Sequence, residues 1–329
     1  MSPPPSNLKK VAFLFPGTGS QHIGMGAGLW AEYPEIRKNI SLLESRLGYE
    51  LKNYMFHGPD AALFPGLFSD IPTVFAETTA VLGLAIAKSL AEKTSFPDFA
   101  AGRSFGEFTA SSFAGFFSPL DCINAIKKTI REGQKICVRN PSSLVTVYGP
   151  GKPGTAWLLK EMKKAGHSCE LAIFYERLKV SVLGTERKSL DTLRKLLAKK
   201  GWRSSVSREP GAFHTSLFRD LSSDIPLFLE KAALSDPKIP VFLNCDAEKC
   251  SRKKALASKI ALGVSKRVYW QETLENMLAA GVRVFVEIGP GIMLTEFICE
   301  LPRDAVALKT DNAANFAGTR DFLKKNAKK

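Results

Sequence analysis

Phe99-Ala100-Ala101-Gly102-Arg103-Ser104-Phe105-Gly106-Glu107 is the stretch on which the fold turns. Its apolar opening reads as a strand, its centre fits G-x-S-x-G, and the run from Glu107 to Phe113 is compatible with a helix. Glycines on both sides of the serine leave room for a sharp strand-to-helix turn that exposes the hydroxyl. Such a turn also aims the Phe105 amide and a helix N-terminus at the place where an oxyanion would develop. Upstream, Val11 to Phe15 is a short apolar run stopped by Pro16-Gly17-Thr18-Gly19, the pattern of a buried parallel strand entering a tight loop. Apolar residues from Ala80 to Leu90 recur at helical spacing.

Downstream the rhythm changes. Leu144 to Tyr148, Glu170 to Tyr175, Lys179 to Leu183 and Trp202 to Ser207 read as strands, with helices from about Thr155 to Ala165 and Glu186 to Lys200. The order β-α-β-β-α-β is the ferredoxin-like pattern and suits a small inserted lobe over residues 140–208. The chain then returns through Pro210-Gly211-Ala212-Phe213-His214, a helix to about Lys231 and the strand Val241-Phe242-Leu243. A helix from Trp270 to Ala280 and a strand from Val282 to Ile288, ended by Gly289-Pro290-Gly291, follow. The expected class is α/β, with residues 1–139 and 209–329 forming a core with a mainly parallel sheet.

With 45% hydrophobic and 24% charged residues the composition is that of a globular protein. No apolar run long enough to span a membrane occurs, and MSPPPSNLKK lacks the order of a secretory signal, so a cytoplasmic protein without membrane contact is expected. Cys122, Cys137, Cys169, Cys245, Cys250 and Cys299 form no C-x-x-C pair, and there are four histidines, which argues for reduced, packed thiols and against a metal site. The formal charge of +14 favours anionic partners. Much of it lies in segments read as solvated faces, Lys195 to Arg203, Lys249 to Lys259 and Lys324 to Lys329, and no nucleic-acid motif accompanies it.

A serine hydroxyl needs a base, and the choice is among His22, His57, His167 and His214. His214 is best placed, well after the nucleophile at a Pro-Gly turn that opens a helix, whereas His167 falls within the lobe.

Four separated motifs resemble those of the malonyl-CoA:acyl carrier protein transacylases and the related acyltransferases of polyketide synthesis. Phe15-Pro16-Gly17-Thr18-Gly19-Ser20-Gln21 is similar to F-P-G-Q-G-S-Q, and Gly102 to Glu107 to G-H-S-L-G-E. Gly211-Ala212-Phe213-His214 resembles the segment ending in the catalytic histidine, and Val286 to Gly291 the C-terminal E-x-G-P-G. The resemblance implies an α/β-hydrolase-like core with a ferredoxin-like lobe. It implies Ser104 as the acylated nucleophile, His214 as general base and then acid, and the amides of Thr18 and Phe105 as the oxyanion hole. It places the backbone carbonyl that holds the histidine at about Tyr269. The implied reaction is ping-pong, from a coenzyme A thioester to the phosphopantetheine thiol of an acyl carrier protein, with no bound cofactor, in fatty-acid or polyketide assembly. A basic face suits both the CoA phosphates and the acidic helix of such carriers.

The pattern breaks in three places that bear on substrate. Thr129 stands where an ungapped count from Ser104 puts the Arg that malonyl-specific members use to bind the free carboxylate, with Arg131 two residues on. Arg103 replaces the family's His before the nucleophile and is a candidate substitute clamp. Ile173 and Tyr175 replace polar residues near the pocket, which favours an apolar pocket and an uncharged acyl group, while Phe213 before His214 fits a small one. The rivals are a hydrolase that clears acyl groups from carriers, which also lacks the Arg, and a carrier-binding protein without catalysis.

Overall fold

The computed structural model describes residues 9–63, 74–208, 210–299 and 304–326. The expected domain limits at 1, 209 and 329, the end of the Lys324 to Lys329 tail and the Cys299 side chain lie outside the described residues. The chain folds as α/β with a mostly parallel main sheet. Its strands are β1 (Lys10–Phe15), β2 (Phe99–Gly102), β7 (Val241–Phe242), β8 (Lys249–Cys250), β9 (Val282–Glu287) and β10 (Val306–Lys309). Between them in the chain come β3 (Ser142–Tyr148), β4 (Cys169–Tyr175), β5 (Val180–Glu186) and β6 (Arg203–Val206).

The main sheet runs β10-β9-β1-β2-β7-β8, parallel except for the β7–β8 pair. Strand β1 lies at its centre because both its faces are apolar. Phe13 and Phe15 enter the larger core with the helices Phe75–Lys93, Gly106–Phe113 and Pro119–Arg139. Ala12 and Leu14 enter a second core with Phe242, Phe285 and Trp270. This two-sided burial is why β1 is an unbroken apolar run rather than an alternating one. The segments after β9, β1 and β2 therefore emerge side by side at the carboxyl edge of the sheet, the usual ligand position in parallel α/β folds.

The second sheet is antiparallel, ordered β4-β5-β3-β6. On one face Val145, Val147 and Leu183 bury against Leu158 and Met162 of the helix Gly151–Lys164 and Leu193 and Leu197 of the helix Leu190–Lys199. On the other, Ile173, Tyr175 and Val182 join the second core of the main sheet. The two sheets are thus fastened to each other by apolar packing as well as by chain. Among the described residues no helix is long and apolar enough to cross a membrane.

Candidate active site

Ser104 sits at the turn between β2 and the helix Gly106–Phe113 with φ +56°, a conformation rare for a residue with a side chain. Both flanking glycines are required by space. A Cβ on Gly102 would lie 1.9 Å from the Gly106 carbonyl, and one on Gly106 would lie 2.2 Å from Phe15 O. The strained turn is held by Asn244, at the end of β7. Its Oδ1 accepts from Ser104 N (2.9 Å), and its Nδ2 donates to Gly102 O (2.7 Å) and Glu107 Oε1 (2.8 Å). Glu107 Oε1 also accepts from Asn244 N at 2.6 Å. Burial pushes the Glu107 carboxyl up to about 8, against the hydrogen bonds from Asn244.

His214 Nε2 lies 2.7 Å from Ser104 Oγ, and His214 Nδ1 lies 2.7 Å from Gly263 O. A carbonyl only accepts, so Nδ1 carries the proton and Nε2 is left to accept from the serine hydroxyl. The backbone N–H of His214, itself at φ +66°, donates to Val264 O at 2.8 Å. Both carbonyls lie at the end of the helix Lys253–Gly263, where the last C=O groups lack intrahelical partners. Desolvation, opposed by the bond to Gly263 and aided by the nearby Arg103 cation, lowers the imidazole to about 4. A neutral imidazole at physiological pH can take the serine proton.

The expectation that Tyr269 supplies the anchoring carbonyl is corrected: Gly263 does. Tyr269 caps the helix Trp270–Ala279, and its carbonyl already accepts from Thr273 N (2.9 Å) and Thr273 Oγ1 (2.8 Å). Its ring packs under the Arg267 guanidinium.

Ser104 and His214 open into a pocket of ≈ 50 Å³ lined by Thr18, Phe75, Phe105, Phe213, Leu144 and Ser207, with Ile130, Gln134 and Cys137 along one wall. Phe213 stacks on Phe218 at 4.1 Å between centroids and meets Phe105 edge-on. Thr129 is not in this pocket. It is fully buried and its hydroxyl donates to Ala125 O, so the wall-forming face of the helix Pro119–Arg139 is one position further on. Arg131 lines a separate chamber of ≈ 590 Å³ with Lys127, Tyr49 and Glu77, which shares Ile130 and Gln134 with the pocket. Arg103 is not a pocket wall either; its guanidinium is buried against Tyr175 and Thr18. Gly263, Asn244, Ile130 and Gln134 are the site residues that the sequence reading missed, and only Asn244, a polar residue ending an apolar strand, carried a visible signal.

With this geometry in place, the chain matches the acyl transferase domain family over residues 12–314. It belongs to that family. The acyl transferase is 26% identical over 297 residues to the malonyl CoA-acyl carrier protein transacylase of Bacillus subtilis, covering 90% of this chain and 92% of that one. It is likewise 26% identical over 306 residues to a polyketide biosynthesis malonyl CoA-acyl carrier protein transacylase of the same species, covering 91% and 99%. Among solved structures, the malonyl-CoA:acyl carrier protein transacylase of Xanthomonas oryzae superposes with a TM-score of 0.85 at 24% identity, over 95% of this chain and 98% of that one.

Proposed function

We propose that this acyl transferase moves a small acyl group from an acyl-CoA to the phosphopantetheine thiol of an acyl carrier protein through an ester on Ser104. The observation that carries this reading is the relay from Ser104 Oγ to His214 Nε2 and, across the imidazole ring, from His214 Nδ1 to Gly263 O, with both hydrogen bonds 2.7 Å. His214 takes the hydroxyl proton as Ser104 Oγ attacks the thioester, then delivers it to the departing CoA sulfur. In the second half it takes the proton of the carrier thiol; the sulfur attacks the ester, and Ser104 Oγ recovers the proton. The amides of Thr18 and Phe105 receive the oxyanion, each worth about 3 kcal/mol in the transition state.

The similarity to malonyl CoA-acyl carrier protein transacylases supports malonyl-CoA and a carrier protein as the substrate pair. The pocket favours an uncharged acyl group of similar size. Among the described residues no lysine or arginine lines it, so a malonyl carboxylate against Ile130, Gln134 and Cys137 would lose water without an ionic partner there, at a cost of several kcal/mol. On the same reading residues 1–139 and 209–329 form an α/β-hydrolase-like core and residues 140–208 a ferredoxin-like insertion. The sheet order β4-β5-β3-β6 with both helices on one face supports that lobe assignment.

Intact-protein mass spectrometry tests the proposal, using malonyl-CoA, acetyl-CoA and longer acyl-CoAs with Ser104→Ala as control. A Ser104-dependent acetyl adduct that persists until holo carrier protein is added is the expected result. An adduct lost equally fast without the carrier would establish a hydrolase, and a strong malonyl adduct would overturn the argument from the uncharged wall. No adduct from any thioester would sink the reading.

A further inference from the structure

Arg103 is only 9% exposed, yet its guanidinium faces neither solvent nor the acyl pocket. We propose that Arg103 is a positioning residue for acyl transfer, clamping the loop that carries Thr18 to the serine turn and locking the lobe onto the core. The inference rests on the acyl-transfer reading of Ser104 and His214.

Three bonds tie this one residue to three elements. Its N–H donates to Phe15 O at the end of β1 (3.0 Å), its Nη2 to Thr18 O in the following loop (3.3 Å), and its Nη1 to Tyr175 Oη on β4 of the lobe (2.9 Å). The Tyr175 ring is fixed in turn by stacking on Phe297, with centroids 4.3 Å apart. Thr18, Leu144 and Ser207 all line the acyl pocket, the last two from the lobe side, so the clamp sets both the loop and the lobe wall. Arg103 and Tyr175, two of the departures from the resembled pattern, are therefore one feature. A planar fork can serve both oxygens at once, which an ammonium on a flexible stem does less well.

The arrangement is a poor way to gain stability. Arg103 Nε and Glu287 Oε1 are buried without a hydrogen-bond partner among the described residues, although the two side chains lie within electrostatic reach of each other. Buried, incompletely bonded charge is costly, so the bonds that Arg103 does make have to offset that cost.

The charge has a second effect, because a cation near His214 disfavours the imidazolium. Among the described residues, the other titratable side chains that line a cavity with the imidazole are Glu107 in a small cavity and Cys137 on the pocket wall. Burial pushes them up to about 8 and about 11, so both are neutral in acid. Neutralising Arg103 should raise the pKa of His214 and move the acid limb of serine reactivity to higher pH.

The experiment compares wild type with Arg103→Lys, Arg103→Met and Tyr175→Phe, each checked for folding by circular dichroism. A fluorophosphonate, which labels an activated serine whatever the natural acyl group, gives the labelling rate against pH. Single-turnover acylation by the reactive acyl-CoA gives the rate at saturation and the KM. Tyr175→Phe and Arg103→Lys should lose about tenfold in both rates with the acid limb in place, the size expected for a hydrogen bond to a charged group. Arg103→Met should lose as much and also shift its limb upward. Wild-type rates with an unshifted limb in the folded variants, or a loss confined to KM, would overturn the proposal. Should Arg103→Met fail to fold, Tyr175→Phe decides, because it removes a single hydroxyl. If wild-type Ser104 takes the fluorophosphonate but no acyl group, the acyl-transfer reading fails while the labelling comparison still judges Arg103.

Discussion

Behind Ser104, Asn244 and Glu107 form a support whose protonation state is a property of the fold. The Glu107 carboxyl rises from 4.5 to about 8 through burial. Its neutral form is favoured in the native state, so its contribution to stability is complete below the unfolded value and is lost as pH rises through the folded one. The melting temperature should therefore fall as pH rises from about 5 to 8, and Glu107→Gln, of nearly equal shape, should flatten that fall. Parallel melting curves for the two proteins would show that Glu107 does not titrate in this window. At this scale the sequence revealed residues whose side chains do chemistry, Ser104 and His214, since few serines and histidines occur in such contexts. It concealed Gly263, which acts through a carbonyl that any residue possesses, and it put that carbonyl six positions away at Tyr269. A backbone acceptor is chosen by where a helix ends, and the three-dimensional meeting of that end with His214 leaves no mark on residue type.

The helix Pro119–Arg139 shows how an element can be legible and its working face not. Its amphipathic pattern is strong, and Ser118 caps it by accepting from Asp121 N at 3.1 Å. One step along a helix turns a side chain by about 100°, so an ungapped count that lands on Thr129 names a residue facing the interior instead of Ile130. The face that matters is Ile130, Gln134 and Cys137, spaced by four and three, and its first two members separate the ≈ 50 Å³ pocket from the ≈ 590 Å³ chamber. Gln134→Ala should breach that partition and improve Ser104 acylation by hexanoyl-CoA relative to acetyl-CoA about tenfold, a change of the size set by a few methylenes in an apolar site. Competition between the two thioesters, read by intact mass, measures it; an unchanged ratio would mean that the pocket ends elsewhere. The strands were easier to find, because β1 is an apolar run stopped by Pro16 and β9 alternates valines with Arg283, Phe285 and Glu287 between Gly281 and Gly289.

For the molecule as a whole, the alternation of strand and helix was enough to expect an α/β chain with a separate middle segment. The joint between lobe and core was not, since Ile173, Tyr175 and Val182 look like any strand residues until the second core is seen to enclose them. The +14 charge acts at this scale too, steering acidic partners over distances that salt shortens to about 8 Å at physiological strength. Transfer from acylated Ser104 to an acidic carrier should slow about tenfold between roughly 50 and 500 mM salt, whereas transfer to a small neutral thiol should barely change. Equal salt dependence for both acceptors would remove long-range attraction from the account.

The relay also has a history written into the order of the chain. Ser104 is translated 110 residues before His214, and Gly263 follows 49 residues later still. At ribosomal rates of about 5 to 20 residues per second, roughly ten to thirty seconds separate the synthesis of Ser104 from that of Gly263, and Asn244, which holds the serine turn, is made between them. A nascent or truncated chain therefore displays an ordinary alcohol to the thioesters around it, and the hydroxyl becomes reactive only once the polypeptide extends past Gly263.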